Sequence, residues 1–421
     1  MQKETIALHA GYDKTQGFGT MSVPIYQTTA YAFKSGEHAA DLFALRDFGP
    51  IYTRLNNPTT DVFEQRFAAM EGGAAAVATS SGMSAIFDSI INVAEAGDNI
   101  IISDKLYGGT VTLCTHTLKR FGIKAKIFSS DDAKDLEELI DEKTKLILFE
   151  SLSNPQISIP YIEKIVDVAK KQNVLTICDN TVASAALFNP IKWGVDVVVH
   201  STSKYTTGQG TALGGIIVER DGLNELISNN PRYYHFNEPD ESYHGLVYSK
   251  TGLPPFTLRV RLALVRDIGT APSPFNSWLL LQGLETLSIR MKKHSQNALK
   301  VAKFLKEHPK VKKVSYPGLE NDEGYKKAQK YFKDGLSSGL LSFEVEDYEK
   351  AKKVLNSTKI FSIVVNIGDS KSIITHPAST THQQLSNEEL ESAGISPELI
   401  RLSIGLEDPK DLIDDLKEAL S

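Results

Sequence analysis

Val195-Asp196-Val197-Val198-Val199-His200-Ser201-Thr202-Ser203-Lys204-Tyr205-Thr206-Thr207-Gly208-Gln209-Gly210 reads as a strand running into hydroxyl residues, one lysine and small flexible residues. A continuous apolar run such as Val195–Val199 is the pattern of a strand covered on both faces. The reading extends outward from it. Between about Thr60 and Glu219, β-rich runs at Asn99–Ser103, Ala125–Ser129, Lys145–Glu150, Val174–Cys178, Asp196–His200 and Gly214–Glu219 alternate with helical patterns. One such pattern is Tyr161–Asn173, where Ile162, Ile165, Val166 and Ala169 share a face opposite Glu163, Lys164, Asp167, Lys170 and Lys171. The alternation predicts right-handed βαβ units and a mostly parallel central sheet covered by helices. Ligands of such sheets bind beyond the carboxyl ends of the strands.

Downstream the rhythm changes. Residues 221–257, rich in Asn, Pro, Tyr and His, read as a long structureless insertion, which is more often functional than accidental. Ser273–His308 reads as one long helix carrying Leu279, Leu280, Leu281, Leu284 and Leu287. Strands at Gly339–Val345 and Ser362–Ile367 and helices at Tyr348–Leu355 and Asp408–Leu420 then indicate a smaller C-terminal α/β domain. The expected division is 60–279 for the large domain, with the insertion at 221–257, and 280–421 for the small one.

Composition narrows the function. A chain of 421 residues with 41% hydrophobic and 23% charged residues is a globular protein of two or three domains. Forty-six basic against 52 acidic residues leave a net charge of −6, no surplus for neutralising nucleic-acid phosphates. No apolar run is long enough to cross a membrane as a helix, and Met1–His9 lacks a signal-peptide pattern. Two cysteines, Cys114 and Cys178, form neither a disulfide framework nor a metal pair, so a cytoplasmic location is expected. The histidines show no metal spacing, and no Gly-x-Ser-x-Gly elbow occurs, so metal and serine hydrolysis lose their usual signatures. The glycines of Gly208–Gly214 miss the dinucleotide fingerprint by one residue, which weakens a nicotinamide-dependent alternative.

Four further features carry chemistry. Lys204, following a buried strand, could lose solvation and act as an amine nucleophile toward an aldehyde; the plainer reading is an exposed loop lysine. Asp179 ends the strand one βα unit earlier and could share its sheet edge, or simply cap a turn. A lysine and a carboxylate so placed are what pyridoxal phosphate chemistry requires, one to bind the aldehyde and one to keep the ring nitrogen protonated. Ala76–Ile86 reads as a small-residue loop opening a helix, suited to a phosphate. Arg401, inside the apolar run Leu399–Ile404, suits either a substrate carboxylate or an internal ion pair.

In order, the blocks Tyr52-Thr-Arg54-Leu-Asn-Asn-Pro-Thr59, Ser80-Ser-Gly-Met-Ser-Ala85, Tyr107-Gly-Gly-Thr110, Glu150-Ser-Leu-Ser-Asn154-Pro155, Asp179-Asn-Thr181 and Ser201-Thr-Ser-Lys204 resemble the Cys/Met-metabolism family of pyridoxal-phosphate (PLP) enzymes, of fold type I. The resemblance implies a PLP-dependent transferase in which Lys204 holds the cofactor aldehyde and serves as the catalytic base. It implies that Asp179 holds the ring nitrogen, that Tyr107 stacks on the ring and assists proton transfer, and that Asn154 bonds the phenolic oxygen. Gly82, Met83, Ser201 and Ser203 would cradle the phosphate. Tyr52 and Arg54, in an N-terminal arm of residues 1–59, would reach a neighbouring subunit's phosphate, implying a homo-oligomer, a tetramer of two catalytic dimers. Arg401 and Ser372 would bind the substrate carboxylate. Thr202 stands where the family has alanine, and no role follows for its hydroxyl.

Within the family, the insertion with Ser242–Tyr248, the segment Ser273–Thr286 and the segment Thr375–Leu385 most resemble O-acetylhomoserine sulfhydrylases. Gly109 stands where many methionine γ-lyases carry cysteine. The implied reaction replaces acetate at the γ-carbon by sulfide or another thiol, giving homocysteine in methionine biosynthesis. Cystathionine γ-synthase or methionine γ-lyase activity is the alternative within the family, and a degenerate scaffold protein is the non-enzymatic one. Acetyl, succinyl and phosphoryl leaving groups, and free sulfide, methanethiol or a sulfur-carrier protein as donor, all suit the motifs.

Overall fold

The period-2 geometry of strands turns those apolar runs into two cores. In the computed structural model, which describes residues 1–421 except 16, 381–382, 384–389 and 391–393, seven strands form one sheet. They are β1 (Ala75–Thr79), β2 (Asn99–Ser103), β3 (Lys124–Phe128), β4 (Thr144–Glu150), β5 (Leu175–Asp179), β6 (Val197–Ser201) and β7 (Gly215–Glu219). Their order is β1-β7-β6-β5-β4-β2-β3, and β7 alone runs antiparallel to its neighbours. Ile147, Cys178, Val198, Ile216 and Val218 enter the core on one face. Leu148, Ile177, Val197, Val199 and Ile217 enter the core on the other. Burying a side chain of this size is worth roughly 1.5–3 kcal/mol, so a one-residue slip of any central strand would exchange the two faces at high cost. Helix Ile162–Gln172 lays Ile162, Ile165, Val166 and Ala169 on the first face, and helix Gly82–Ile91 lays Ala85, Ile86 and Ile90 on the second.

Five shorter strands form a second sheet: β8 (Lys313–Ser315), β9 (Leu340–Glu344), β10 (Ser362–Ile363), β11 (Ile373–Thr375) and β12 (Leu399–Ser403), in the order β10-β11-β12-β9-β8. Leu341, Phe343, Ile374, Ile400 and Leu402 pack there against Val301 and Leu305 of helix Leu287–Glu307 and Leu412 and Leu416 of helix Pro409–Ala419.

Four expectations are corrected. Ala75–Thr79 is strand β1 rather than part of a loop: three alanines give it little β-propensity, but it pairs with β7 along its whole length. Ser273–His308 is two helices, Pro274–Glu285 and Leu287–Glu307. The break arises because the Arg290 guanidinium donates to the Gly283 carbonyl at 2.6 Å, taking an acceptor a continuous helix would use, while also holding the Tyr205 and Thr206 carbonyls. Residues 221–257 are not structureless. They fold into short helical turns whose Tyr233, Phe236, Tyr248 and Phe256 are fully buried against the large sheet. Their anchors, Tyr233 Oη to the Leu175 N–H and Lys145 carbonyl, lie at the strand ends opposite the site described below. Finally, the strand expected over Ser362–Ile367 stops at Ile363, and Val364–Gly368 leaves the sheet. Of the Thr375–Leu385 segment, Thr381, His382, Gln384 and Leu385 lie outside the described residues.

Candidate active site

Parallel strands deliver their last residues to a common edge, and here that edge is chemically loaded. Glu150, Asp179 and Ser201 end β4, β5 and β6, with Glu150 in register with Asp179. They line a cavity of about 220 Å³ together with Gly82, Met83, Tyr107, Asn154, Thr181, Ser203, Lys204, Asn366 and Arg401. A larger cavity of about 600 Å³ opens around β8 and residues 156–159. Its Lys105, Lys312 and Lys327 are each engaged, with Asp131, the Glu346 carbonyl and the Ile159 carbonyl. The smaller cavity holds the reactive groups.

Lys204 follows β6 in a turn closed by its carbonyl accepting the Gly208 N–H at 2.9 Å. Its Nζ donates to Asn366 Oδ1 at 2.7 Å. Burial, and then the nearby Arg401 charge, hold this amine below the ordinary lysine range. Arg401 sits on β12 of the small sheet, 3% exposed. It donates to Asn154 Oδ1 and the Asn366 carbonyl, each at 3.0 Å, and to Thr375 Oγ1 at 3.1 Å. All three acceptors are neutral, and Nε has no partner among the described residues. Burial lowers its pKa to about 10, so it is still a cation at neutral pH. The internal ion pair is therefore not what holds it. A buried guanidinium without a carboxylate is a site for an anion.

Asp179 Oδ1 accepts the Thr181 N–H at 2.9 Å. Burial raises its pKa, and the Thr181 bonds and His200 partly offset this. Helix Gly82–Ile91 begins beside Ser201, with Ser81 as its cap. A Cβ on Gly82 would lie 2.5 Å from Ser201 Cβ and 2.7 Å from its Cα, so only glycine lets the helix N-terminus meet the end of β6. Ser201 Oγ has no partner among the described residues, whereas Ser203 Oγ exchanges bonds with the Gly214 backbone. The result is an anion cradle of free helix amides and a hydroxyl.

An amine kept short of full basicity, an acid, an anion cradle and a lone guanidinium in one small cavity fit a phosphorylated aldehyde cofactor and an amino-acid substrate. The family model for Cys/Met metabolism PLP-dependent enzymes matches residues 4–421. The chain belongs to that family. Its cofactor is pyridoxal 5′-phosphate. The chain is 47% identical to the O-acetyl-L-homoserine sulfhydrylase of Leptospira meyeri, over 99% of this chain and 96% of that one. It is 45% identical to the homocysteine synthase of Schizosaccharomyces pombe, over 99% and 97%. A crystal structure from Campylobacter jejuni, described as that of an O-acetylhomoserine (thiol)-lyase carrying a pyridoxyl-lysine-5′-monophosphate, superposes with a TM-score of 0.98 at 55% identity, covering 100% of both chains.

The cavity of this PLP enzyme gathers nine of the residues singled out from the sequence: Gly82, Met83, Tyr107, Asn154, Asp179, Ser201, Ser203, Lys204 and Arg401. It does not gather Ser372. That residue's N–H and Oγ both donate to Glu407, its Oγ accepts the Gly405 N–H, and its carbonyl accepts the Ser362 N–H, so both of its donors are engaged away from the cavity. Tyr52 and Arg54 lie outside their own chain's cavity, Arg54 stacking 5.4 Å over the Tyr52 ring and donating to the Arg266 carbonyl. Thr202 is buried, its hydroxyl is unpartnered among the described residues, and it does not line the cavity. Sequence reasoning missed Asn366, which bridges Lys204 and Arg401, and Glu150. The signal for Glu150 was available, because it is a carboxylate ending an apolar strand, as Asp179 is. For Asn366 there was none, since it lies in the stretch expected to continue as strand.

Proposed function

We propose that this chain is an O-acetyl-L-homoserine sulfhydrylase, replacing the acetate of O-acetyl-L-homoserine by sulfide to give L-homocysteine. The observation that carries the reading is the pairing of Lys204 with an uncompensated Arg401 across Asn366: a proton-transfer base beside an anchor for an α-carboxylate. The sulfhydrylase and homocysteine synthase names of relatives 41–47% identical over nearly the whole chain support the choice of leaving group and nucleophile.

When bound, PLP supplies an electron-withdrawing ring that stabilises negative charge at the substrate α-carbon and so permits departure of a γ-substituent. Lys204 would hold its aldehyde, Asp179 its ring nitrogen, Tyr107 its ring face and Asn154 its phenolic oxygen. Gly82 and Met83 amides and Ser201, with a lesser part for the engaged Ser203, would hold its phosphate. Arg401 takes the substrate carboxylate and thereby turns the α-proton toward Lys204. The basicity of Lys204, lowered by burial and by the Arg401 charge, suits it both to accept that proton and to return one. A Cβ at Gly109 would meet the Tyr107 ring at 2.6 Å, so glycine there supports the ring position from which Tyr107 covers the cofactor.

The arm of residues 1–59 serves a neighbouring subunit, with Tyr52 and Arg54 reaching its phosphate. The exposed Phe18, Met21, Phe43 and Phe48 of this arm support a homo-oligomer, a tetramer of two catalytic dimers. Residues 60–279 form the cofactor domain and 280–421 the smaller domain. Two free, buried cysteines support a cytoplasmic, reducing location, and no described helix is long and apolar enough to cross a membrane. The deciding experiment feeds O-acetylhomoserine with sulfide. Homocysteine and acetate are expected, whereas 2-oxobutyrate and ammonia alone would establish a lyase. A panel of succinyl- and phosphoryl-homoserine, methanethiol and a sulfur-carrier protein then fixes acyl group and donor.

A further inference from the structure

Two carboxylates end neighbouring strands at the cavity, and the chemistry needs only one negative charge beside a ring nitrogen. Glu150 and Asp179 are register partners on β4 and β5, and both are buried. Among the described residues, neither is in an ion pair. The cations of the cavity, Lys204 and Arg401, are bonded to Asn366, Asn154 and Thr375 instead. Among residues packed from the opposite face of the sheet, Glu71 and Cys178 bring no positive charge, and His200 is bonded to Glu71 at 3.0 Å. Glu150 is nevertheless firmly engaged, since its Oε1 accepts the Tyr107 backbone N–H at 2.6 Å.

We propose that Glu150 is a positioning residue that works uncharged, fixing Tyr107 through its backbone while leaving Asp179 as the single negative charge of the cavity. This rests on the reading of Asp179 as the acid that holds the ring nitrogen. Two carboxylates sharing a dry site do not both ionise. Hydrogen-bond donors favour both anions, Thr181 with His200 at Asp179 and the Tyr107 and Asn154 backbone N–H groups at Glu150, but only Glu150 is also raised by its neighbour's charge, so Asp179 has the better claim. Burial first, and Asp179 second, raise Glu150 well above the usual carboxylate range. An ionised Glu150 would add a second buried anion beside Asp179 that no ion pair among the described residues compensates.

The test uses purified holoenzyme of the wild type, E150Q and E150A. Glutamine keeps a neutral acceptor for the Tyr107 N–H, and alanine removes it. The infrared spectrum of the wild type should contain the carbonyl stretch of a protonated carboxylic acid that E150Q lacks. The pH midpoint of the cofactor's visible absorbance should stay in place in E150Q. E150A should lower both cofactor affinity and kcat/KM about tenfold to a hundredfold, the cost of an unpaired buried N–H, and E150Q should recover most of the affinity. A midpoint displaced by a pH unit or more in E150Q, an absent acid band, or undiminished cofactor affinity in E150A would overturn the proposal. D179N separates the two readings: if it leaves the absorbance titration unaltered, the role of Asp179 fails, whatever Glu150 does.

Discussion

Truncating Arg401 to alanine should have loss of α-carboxylate recognition as its largest effect. The guanidinium is buried, makes three bonds to neutral acceptors and keeps Nε free of partners among the described residues. A hydrogen bond to a charged group is worth about 1.5–3 kcal/mol net, so a two-pronged contact with a carboxylate contributes on the order of 3–5 kcal/mol. At about 1.4 kcal/mol per tenfold, kcat/KM for O-acetylhomoserine should fall by roughly two to four orders of magnitude. Arg401→Lys keeps the charge but loses the fork, and should recover part of that loss. The assay is homocysteine formation under saturating sulfide, with the visible absorbance confirming that PLP is still bound. Orphaned acceptors at Asn154, Asn366 and Thr375 would also perturb the site, so a second substrate separates the two effects. With the substrate α-carboxamide only that perturbation should remain, so the loss on Arg401→Ala should be much smaller than with the acid. Equal losses on the acid and the amide would refute the assignment and leave Arg401 a purely structural cation.

Lys204→Ala should abolish turnover and the visible band of the lysine-bound cofactor, and full activity in that variant would remove the catalytic assignment. Gly82→Ala should weaken PLP binding at least about tenfold, read by absorbance titration, because its Cβ meets the Ser201 backbone at 2.7 Å; unaltered affinity would mean that the helix N-terminus does not hold the phosphate. Asp88, buried with Oδ1 unpartnered among the described residues and its pKa raised by burial from 3.8 to about 6, carries a cost of ionisation in the folded state. That cost is absent below the unfolded value, grows as pH rises between the two, and is complete above the folded value, amounting to about 3 kcal/mol. Asp88→Asn should therefore stabilise the protein at pH 7 and lose its advantage near pH 4, and equal thermal shifts at both values would contradict the burial argument.

What could be read from the chain divides by range. Strands β2 to β7 and helix Ile162–Gln172 were legible because burial on a sheet imprints local periodicity. Strand β1 was not, because Ala75-Ala76-Val77-Ala78-Thr79 is strand only by virtue of its pairing with β7. The helix break at Thr286 was hidden for a similar reason: its cause is the Arg290 side chain reaching the Gly283, Tyr205 and Thr206 carbonyls. Among site residues, Lys204 and Asp179 could be singled out as polar groups at strand ends, but it was the family resemblance that raised them above a loop lysine and a turn cap. Ser372 entered only through the family resemblance, and Glu407 engages it from 35 positions away.

The same distinction explains why the chemistry sits where the two sheets meet. Lys204 comes from the end of β6 and Arg401 from β12, so no local pattern could have coupled them, yet Asn366 touches both. In the free enzyme the Arg401 charge is one of the two causes that depress the basicity of Lys204. A substrate carboxylate bound to Arg401 offsets that charge and removes the second cause while leaving burial, the first, in place. On the proposed reading, the free Lys204 amine would be a stronger base with the carboxylate seated on Arg401 than without it. If Arg401 and Lys204 have the proposed roles, carboxylate recognition and readiness to take the α-proton are coupled through one electrostatic contact, and a substrate lacking the carboxylate should lose kcat as well as affinity.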